Sequence, residues 1–159
     1  MEKPYVIDSP VFEDHRGSFT PLNLSLLGKD WLQSNVSVNK VKNTFRGLHY
    51  QNGEHAQAKL VKVIYGKIID FVVDLRPDSP DYMKLQEFEI NVTNAILVPR
   101  GFAHGFITLE DRTIVQYLVD NDYNKNEEAT LFWSEVPELV EKFKDVELVI
   151  SDKDNPNLI

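Results

Sequence analysis

Short runs of alternating apolar and polar residues, each closed by a turn signal, fill most of this chain and point to antiparallel β-structure. Asn35-Val36-Ser37-Val38-Asn39-Lys40-Val41 alternates as a half-buried strand does. Ala58 to Tyr65 and Ile68 to Leu75 are two β-branched runs around Gly66-Lys67, the pattern of a hairpin. Arg76-Pro77-Asp78-Ser79-Pro80 breaks the chain, Leu85 to Val92 alternates again, and Ala95 to Val98 and Arg112 to Val119 read as further strands. Only two segments depart from this rhythm. Leu24 to Leu32 has helix-compatible spacing interrupted by Gly28, and Glu138 to Lys144 reads as a short helix with Pro137 in its first turn. Many short strands with few helices give an all-β sandwich or barrel, and 159 residues with 42% apolar content suffice for a single domain over 1–159.

Charge and composition narrow the chemistry. A formal net charge of −8 argues against nucleic-acid binding, which requires clustered Lys and Arg, so an anionic ligand needs a local basic pocket. The chain has no cysteine, which removes disulfides, thiolate nucleophiles and Cys-ligated zinc and suits a reducing compartment. It contains neither an apolar run long enough to cross a membrane nor a signal-peptide pattern, so the expectation is a cytoplasmic protein.

Arg46-Gly47-Leu48-His49-Tyr50-Gln51, Gln57-Ala58-Lys59-Leu60 and Gly101-Phe102-Ala103-His104-Gly105-Phe106 set an Arg, two His and a Lys on strands of one small barrel. That set suits an anionic, carbonyl-bearing small molecule. A lone His in a strand is usually a satisfied structural residue, but His49 can act as a general base near neutral pH. Lys59 shares a strand face with Val61, and an inward Lys among Val and Ile is costly unless its charge is used. Arg46 lies three residues before His49 and faces the other way on a regular strand, unless a bulge intervenes. The polar stretch Asp152 to Asn157 reads, on composition, as a frayed tail.

Pro99-Arg100-Gly101-Phe102-Ala103-His104 resembles the second motif of the cupin barrel: Pro, any residue, Gly, two residues, His. The first cupin motif is only partly present. Metal-binding cupins carry a His-any-His pair there, whereas this chain reads His49-Tyr50-Gln51, and a Gln is a poor substitute for imidazole on a divalent transition metal. No metal and no cofactor are expected.

The full series of motifs resembles the dTDP-4-dehydrorhamnose 3,5-epimerase-like family of nucleotide-sugar epimerases, which are metal-free cupins. It comprises Asp14 to Phe19, Gln33-Ser34-Asn35, Arg46 to Gln51, Gln57 to Leu60, Val73 to Arg76, Pro99 to Phe106, Tyr117 with Tyr123, and Ser151 to Asp154. The resemblance implies a cupin jelly-roll (double-stranded β-helix) barrel that inverts C3, C5 or both of a nucleotide-linked 4-keto sugar. It further implies that His49 is the base, Asp154 its partner, Lys59 the group that stabilises the enolate, and Tyr117 the acid on the opposite face. Arg46 matches the diphosphate-binding Arg; Arg16, Phe19, Gln33, Asn35 and Tyr123 match nucleotide or sugar contacts, and His104 a supporting active-site His. A homodimer with an exchanged amino-terminal strand is implied as well. One departure bears on the nucleotide: Pro21 stands where the family pattern has a Glu, which opens GDP- and CDP-linked sugars beside dTDP. The competing expectations are a sugar-nucleotide 3,4-ketoisomerase, which would want a second His close to His49, and a cupin that binds sugars without turnover or carries an altered metal set.

Overall fold

The computed structural model describes residues 1–158. An amino-terminal strand β1 (Tyr5–Asp8) is followed by a small hairpin of β2 (Phe12–Asp14) and β3 (Gly17–Phe19). Then come β4 (Gln33–Asn39), β5 (Phe45–Gln51), β6 (Lys59–Tyr65), β7 (Ile68–Asp74) and β8 (Leu85–Ile90). The barrel is completed by β9 (Asn94–Val98), β10 (Phe102–Thr108), β11 (Thr113–Val119) and β12 (Glu128–Thr130), and α1 (Pro137–Phe143) follows. Ten of these strands form two five-stranded antiparallel sheets, ordered β1-β9-β6-β11-β4 and β12-β5-β10-β7-β8, while β2 and β3, among the described residues, pair only with each other.

The inner faces of the two sheets meet in an apolar layer. Val61 and Val63 of β6, Ile96 and Val98 of β9 and Val115 of β11 pack against Ile68, Val72, Ile90, Phe102 and Phe106 of the second sheet. The outer face of the second sheet is covered by Leu139 and Phe143 of α1, which pack on Phe45, Leu48, Phe71 and Val73. Leu22, Leu27 and Trp31 cover part of the first sheet's outer face, over Leu60, Ala95 and Leu97. With apolar cover on both faces, β7 is a nearly unbroken apolar run instead of a strict alternation.

The expected strands are all present, with boundaries moved by a residue or two. The helix-compatible run at 24–32 shortens to a 3-10 turn over Leu24–Leu27, because Gly28 ends it in the left-handed conformation at φ 61°. A more consequential difference lies in β4. Its register against β11 aligns Gln33, Asn35, Ser37 and Asn39 with Val119, Tyr117, Val115 and Thr113, whose strand faces inward. The polar face of β4 therefore looks into the barrel and its apolar face looks out, leaving Val36 and Val38 62% and 61% exposed.

Candidate active site

The barrel mouth is built on a bulge in β5. His104 of β10 pairs with His49 and Phe106 with Arg46, so two steps on β10 match three on β5. That extra residue turns Arg46 onto the same inner face as His49. Gly47 and Gly105 make the close approach possible. A Cβ on Gly47, whose φ is 126°, would stand 2.6 Å from the Gly105 Cα, and one on Gly105 would stand 2.5 Å from the Arg46 carbonyl oxygen.

Two adjoining hollows share His49, Lys59 and Tyr117. The first is also lined by Gln33, Asn35 and Tyr123, and the second by Arg46 and His104. His49 belongs to the second sheet and Tyr117 to the first, so the two face both hollows from opposite walls.

The tail that composition marks as frayed is fixed in place. Phe45 N–H donates to the Val149 carbonyl at 2.9 Å and Val149 N–H to that of Asn43 at 2.9 Å, bringing the chain back beside β5. A single 3-10 turn over Asp152–Asp154 then delivers Asp154, which is only 3% exposed. Its Oδ1 lies 2.6 Å from His49 Nε2, and its Oδ2 accepts from the Gly47 N–H at 3.2 Å. Burial opposes ionisation of Asp154, but the His49 hydrogen bond and charge, the Gly47 N–H and Lys153 outweigh it and hold the carboxyl below its ordinary range. An ionised Asp154 places the imidazole proton on Nε2 and leaves Nδ1 of His49 as the basic nitrogen.

Lys59 stands where its strand face predicts, beside Val61 on the inner side, and its Nζ donates to the His49 carbonyl at 3.2 Å. Desolvation pushes the ammonium down to about 8, and the Asp70 and Glu128 carboxylates keep it from falling further. Tyr117 is shifted the other way. Burial raises its phenol above the ordinary value, only partly offset by the Arg46 charge, so at neutral pH it carries a proton to give.

Sequence reasoning missed three residues here. Asp70 is fully buried on the inner face of β7, and its Oδ2 lies 2.7 Å from His104 Nε2. His49 and His104 are register partners, so two imidazoles on neighbouring strands are each held by a buried carboxylate. Burial pushes Asp70 upward, opposed by His104 and Lys59, and its other oxygen has no hydrogen-bond partner among the described residues. An Asp inside an apolar strand was the available signal for it. At the rim, Glu128 accepts from the Tyr123 hydroxyl at 2.8 Å and pairs with Lys153. No local pattern marks those two; they converge only because β12 pairs with β5 and the tail returns.

Gln51, which occupies the position of a cupin metal ligand, has another task. Its Nε2 donates to the carbonyls of His55 at 2.7 Å and Asp122 at 3.0 Å, and its Oε1 accepts from the Asn124 N–H at 2.7 Å. It ties the segment that carries Tyr123 to the loop at His55. Among the described residues, no three His, Asp or Glu side chains are grouped to hold a metal.

Arg16 and Phe19 are not brought to either hollow. They sit on the β2–β3 hairpin, where Arg16 is bound to Asp14 and Phe19, 66% exposed, stands 6.5 Å from Phe12 between ring centroids. All the other residues expected at the site line it or support it.

The family model for dTDP-4-dehydrorhamnose 3,5-epimerase matches residues 1–158. The chain belongs to that family. The enzyme of that name from Escherichia coli is 34% identical over 163 residues, covering 97% of this chain and 88% of its own length. Its counterpart from Salmonella typhimurium is 34% identical over 139 residues, covering 82% of this chain and 75% of its own. The crystal structure of the Bacillus anthracis enzyme with TDP and pyrophosphate bound superposes with a TM-score of 0.88 at 36% identity, over 95% of this chain and 90% of that one. The Legionella pneumophila enzyme in complex with dTDP-4-keto-L-rhamnose gives a TM-score of 0.85 at 28% identity, over 97% and 86% of the two chains. The fold is thus the cupin-like barrel of the 3,5-epimerases. Like its family, the chain is an isomerase, an epimerase of nucleotide-linked 4-keto sugars.

Proposed function

We propose that the chain, acting as one domain over residues 1–159, inverts its keto sugar by a two-wall mechanism. His49 Nδ1 removes the proton from the carbon next to the ketone, and the electrons of that C–H bond pass to the carbonyl oxygen as an enolate. Asp154 orients the imidazole and stabilises its charged form. The Lys59 ammonium, with His104 beside it, stabilises the enolate oxygen, the role in which a fixed charge inside a partly dry site is worth most. Tyr117 then delivers its proton to the same carbon from the other side, and both groups reset through solvent. The observation that supports this reading is the placement of His49 and Tyr117 on opposite sheets across one hollow. A ketoisomerase with its second His on the same strand as His49 is disfavoured, since position 51 holds a Gln committed to loop carbonyls and the neighbouring His104 is tied to Asp70.

Arg46, on the inner face of the bulge, takes the diphosphate; its planar, permanently charged fork suits that group. Gln33, Asn35 and Tyr123 line the adjoining hollow, where the nucleoside or sugar lies. The nucleotide is dTDP in the first instance, as the relatives' names and bound ligands suggest. Pro21 has no side-chain acceptor in place of the family's Glu, so GDP- and CDP-linked sugars belong in the test.

The working unit is a homodimer in which the β2–β3 hairpin crosses to a second copy and takes Arg16 and Phe19 to its nucleotide pocket. Two features support this: the hairpin pairs with neither sheet, and Val36 and Val38 expose an apolar outer face. A cysteine-free chain suits work in the cytoplasm. The test is incubation in deuterated water with dTDP-, GDP- and CDP-4-keto-6-deoxy sugars, followed by NMR and mass at C3 and C5. Incorporation with inversion for dTDP sugars supports the whole reading; incorporation only with another nucleotide overturns the dTDP assignment, and none with any overturns turnover.

A further inference from the structure

Asn39 ends β4 on its inward, polar face and is 1% exposed, yet it takes no part in the chemistry described above. Its carboxamide is held on both sides. Nδ2 donates to the Thr113 carbonyl at 3.0 Å, with longer contacts to the Ser37 hydroxyl at 3.4 Å and carbonyl at 3.5 Å, and Oδ1 accepts from Arg46 Nε at 2.8 Å. A carbonyl can only accept and a guanidinium N–H can only donate, so the orientation of the amide is determined by its neighbours. Held through Nε, the Arg46 guanidinium keeps both Nη groups without a hydrogen-bond partner among the described residues, on a side chain that lines the same hollow as His49, Lys59 and His104.

Three of the five arginines have a carboxylate partner, whereas Arg46 and Arg112, among the described residues, do not. Arg16, Arg76 and Arg100 are each paired with an Asp, through Asp14, Asp74 and Asp120. Arg46, among the described residues, is held by a neutral carboxamide. An Asp at position 39 could hold Nε at the same distance, but it would compensate the charge that an incoming anion needs. A neutral anchor orders the fork and leaves its full charge available.

We propose that Asn39 is a positioning residue for anion binding: its buried carboxamide fixes Arg46 through Nε and reserves the Nη fork and its uncompensated charge for the diphosphate of the substrate. This rests on the assignment of the diphosphate to Arg46 given above. Its consequence is a division of labour along the inner face of β4, where Gln33 and Asn35 meet the ligand directly and Asn39 acts through another side chain.

The test is a double-mutant cycle read by calorimetric binding of TDP, with steady-state kinetics alongside. Asn39→Ala frees the fork and is expected to weaken TDP binding about threefold to tenfold, the usual cost of ordering one long side chain on binding. Asn39→Asp keeps an acceptor but compensates the charge, and is expected to weaken binding about tenfold. Both raise KM with little change in kcat. In an Arg46→Ala background neither substitution alters TDP affinity further, and Arg46→Lys, which has no Nε–H, is likewise insensitive to Asn39→Ala. A merely structural Asn39 would lower Tm in every background and leave TDP affinity untouched. The proposal is overturned if Arg46→Ala weakens TDP binding while both Asn39 variants bind as the wild type does, or if the Asn39 effects persist without Arg46. Wild-type affinity in Arg46→Ala would instead remove the diphosphate assignment itself, and this proposal with it.

Discussion

Lys59→Met is expected to make the protein more stable and far less active. The ammonium is largely withdrawn from solvent, and desolvation moves it from the ordinary 10.5 to about 8. At about 1.4 kcal/mol for each tenfold change in protonation, holding that charge in the folded state costs about 3 kcal/mol at neutral pH. Met is similar in length and flexible, and among the described residues the only hydrogen bond lost is the one from Nζ to the His49 carbonyl at 3.2 Å, worth about 1 kcal/mol. The net gain is about 2 kcal/mol at pH 7, or roughly 4 to 8 °C in Tm for a chain of this size. The pH dependence carries the sign. Between about 8 and 10.5 the unfolded chain keeps the Lys59 proton and the folded chain has released it, so the wild type gains stability as pH rises through that window. The advantage of Lys59→Met therefore shrinks from pH 7 to pH 10. Urea denaturation of both proteins at the two pH values measures it, and turnover should fall by about 10² to 10³ through loss of the enolate-stabilising charge. A variant less stable than the wild type at pH 7, or a difference independent of pH, would refute the reasoning.

Asp154→Asn should leave the fold intact but lower kcat by about 10² to 10⁴, since an amide no longer fixes the His49 tautomer; melting curves alongside rates separate the two effects. Asp70→Asn removes a negative charge that helps Lys59 stay protonated, so the alkaline limb of the kcat profile should move to lower pH, and an unmoved limb would contradict the coupling. Gly47→Ala would force a Cβ to 2.6 Å from the Gly105 Cα and 2.9 Å from the His104 carbonyl oxygen at a positive φ. A loss of more than about 2 kcal/mol is expected in chemical denaturation, because both obstacles are backbone.

The strands were legible because their alternation is local, and Lys59 could be placed beside Val61 from that alternation alone. The face of β4 was not. Period two distinguishes the two faces of a strand without saying which is inward, and here Gln33, Asn35, Ser37 and Asn39 look in while Val36 and Val38 look out. The bulge at Gly47 was equally hidden. On a regular strand Arg46 and His49 oppose each other, and only the pairing with Phe106 and His104 shows them on one wall. Asp154 could be singled out by family resemblance but not by composition, since its burial depends on backbone bonds from Val149 to β5. Asp70, Glu128 and Lys153 were given no role for the same reason: the Asp70–His104 and Glu128–Lys153 contacts each span more than twenty residues of chain and exist only in the folded barrel.

The central claim is that proton removal and proton return come from opposite walls, and Tyr117→Phe in deuterated water tests it most directly. The account predicts that deuterium still enters the keto sugar next to the ketone, because His49 and Lys59 are untouched, while the inverted product fails to accumulate. Inversion at the wild-type rate would contradict the account, because the proton would then be arriving from some group other than Tyr117.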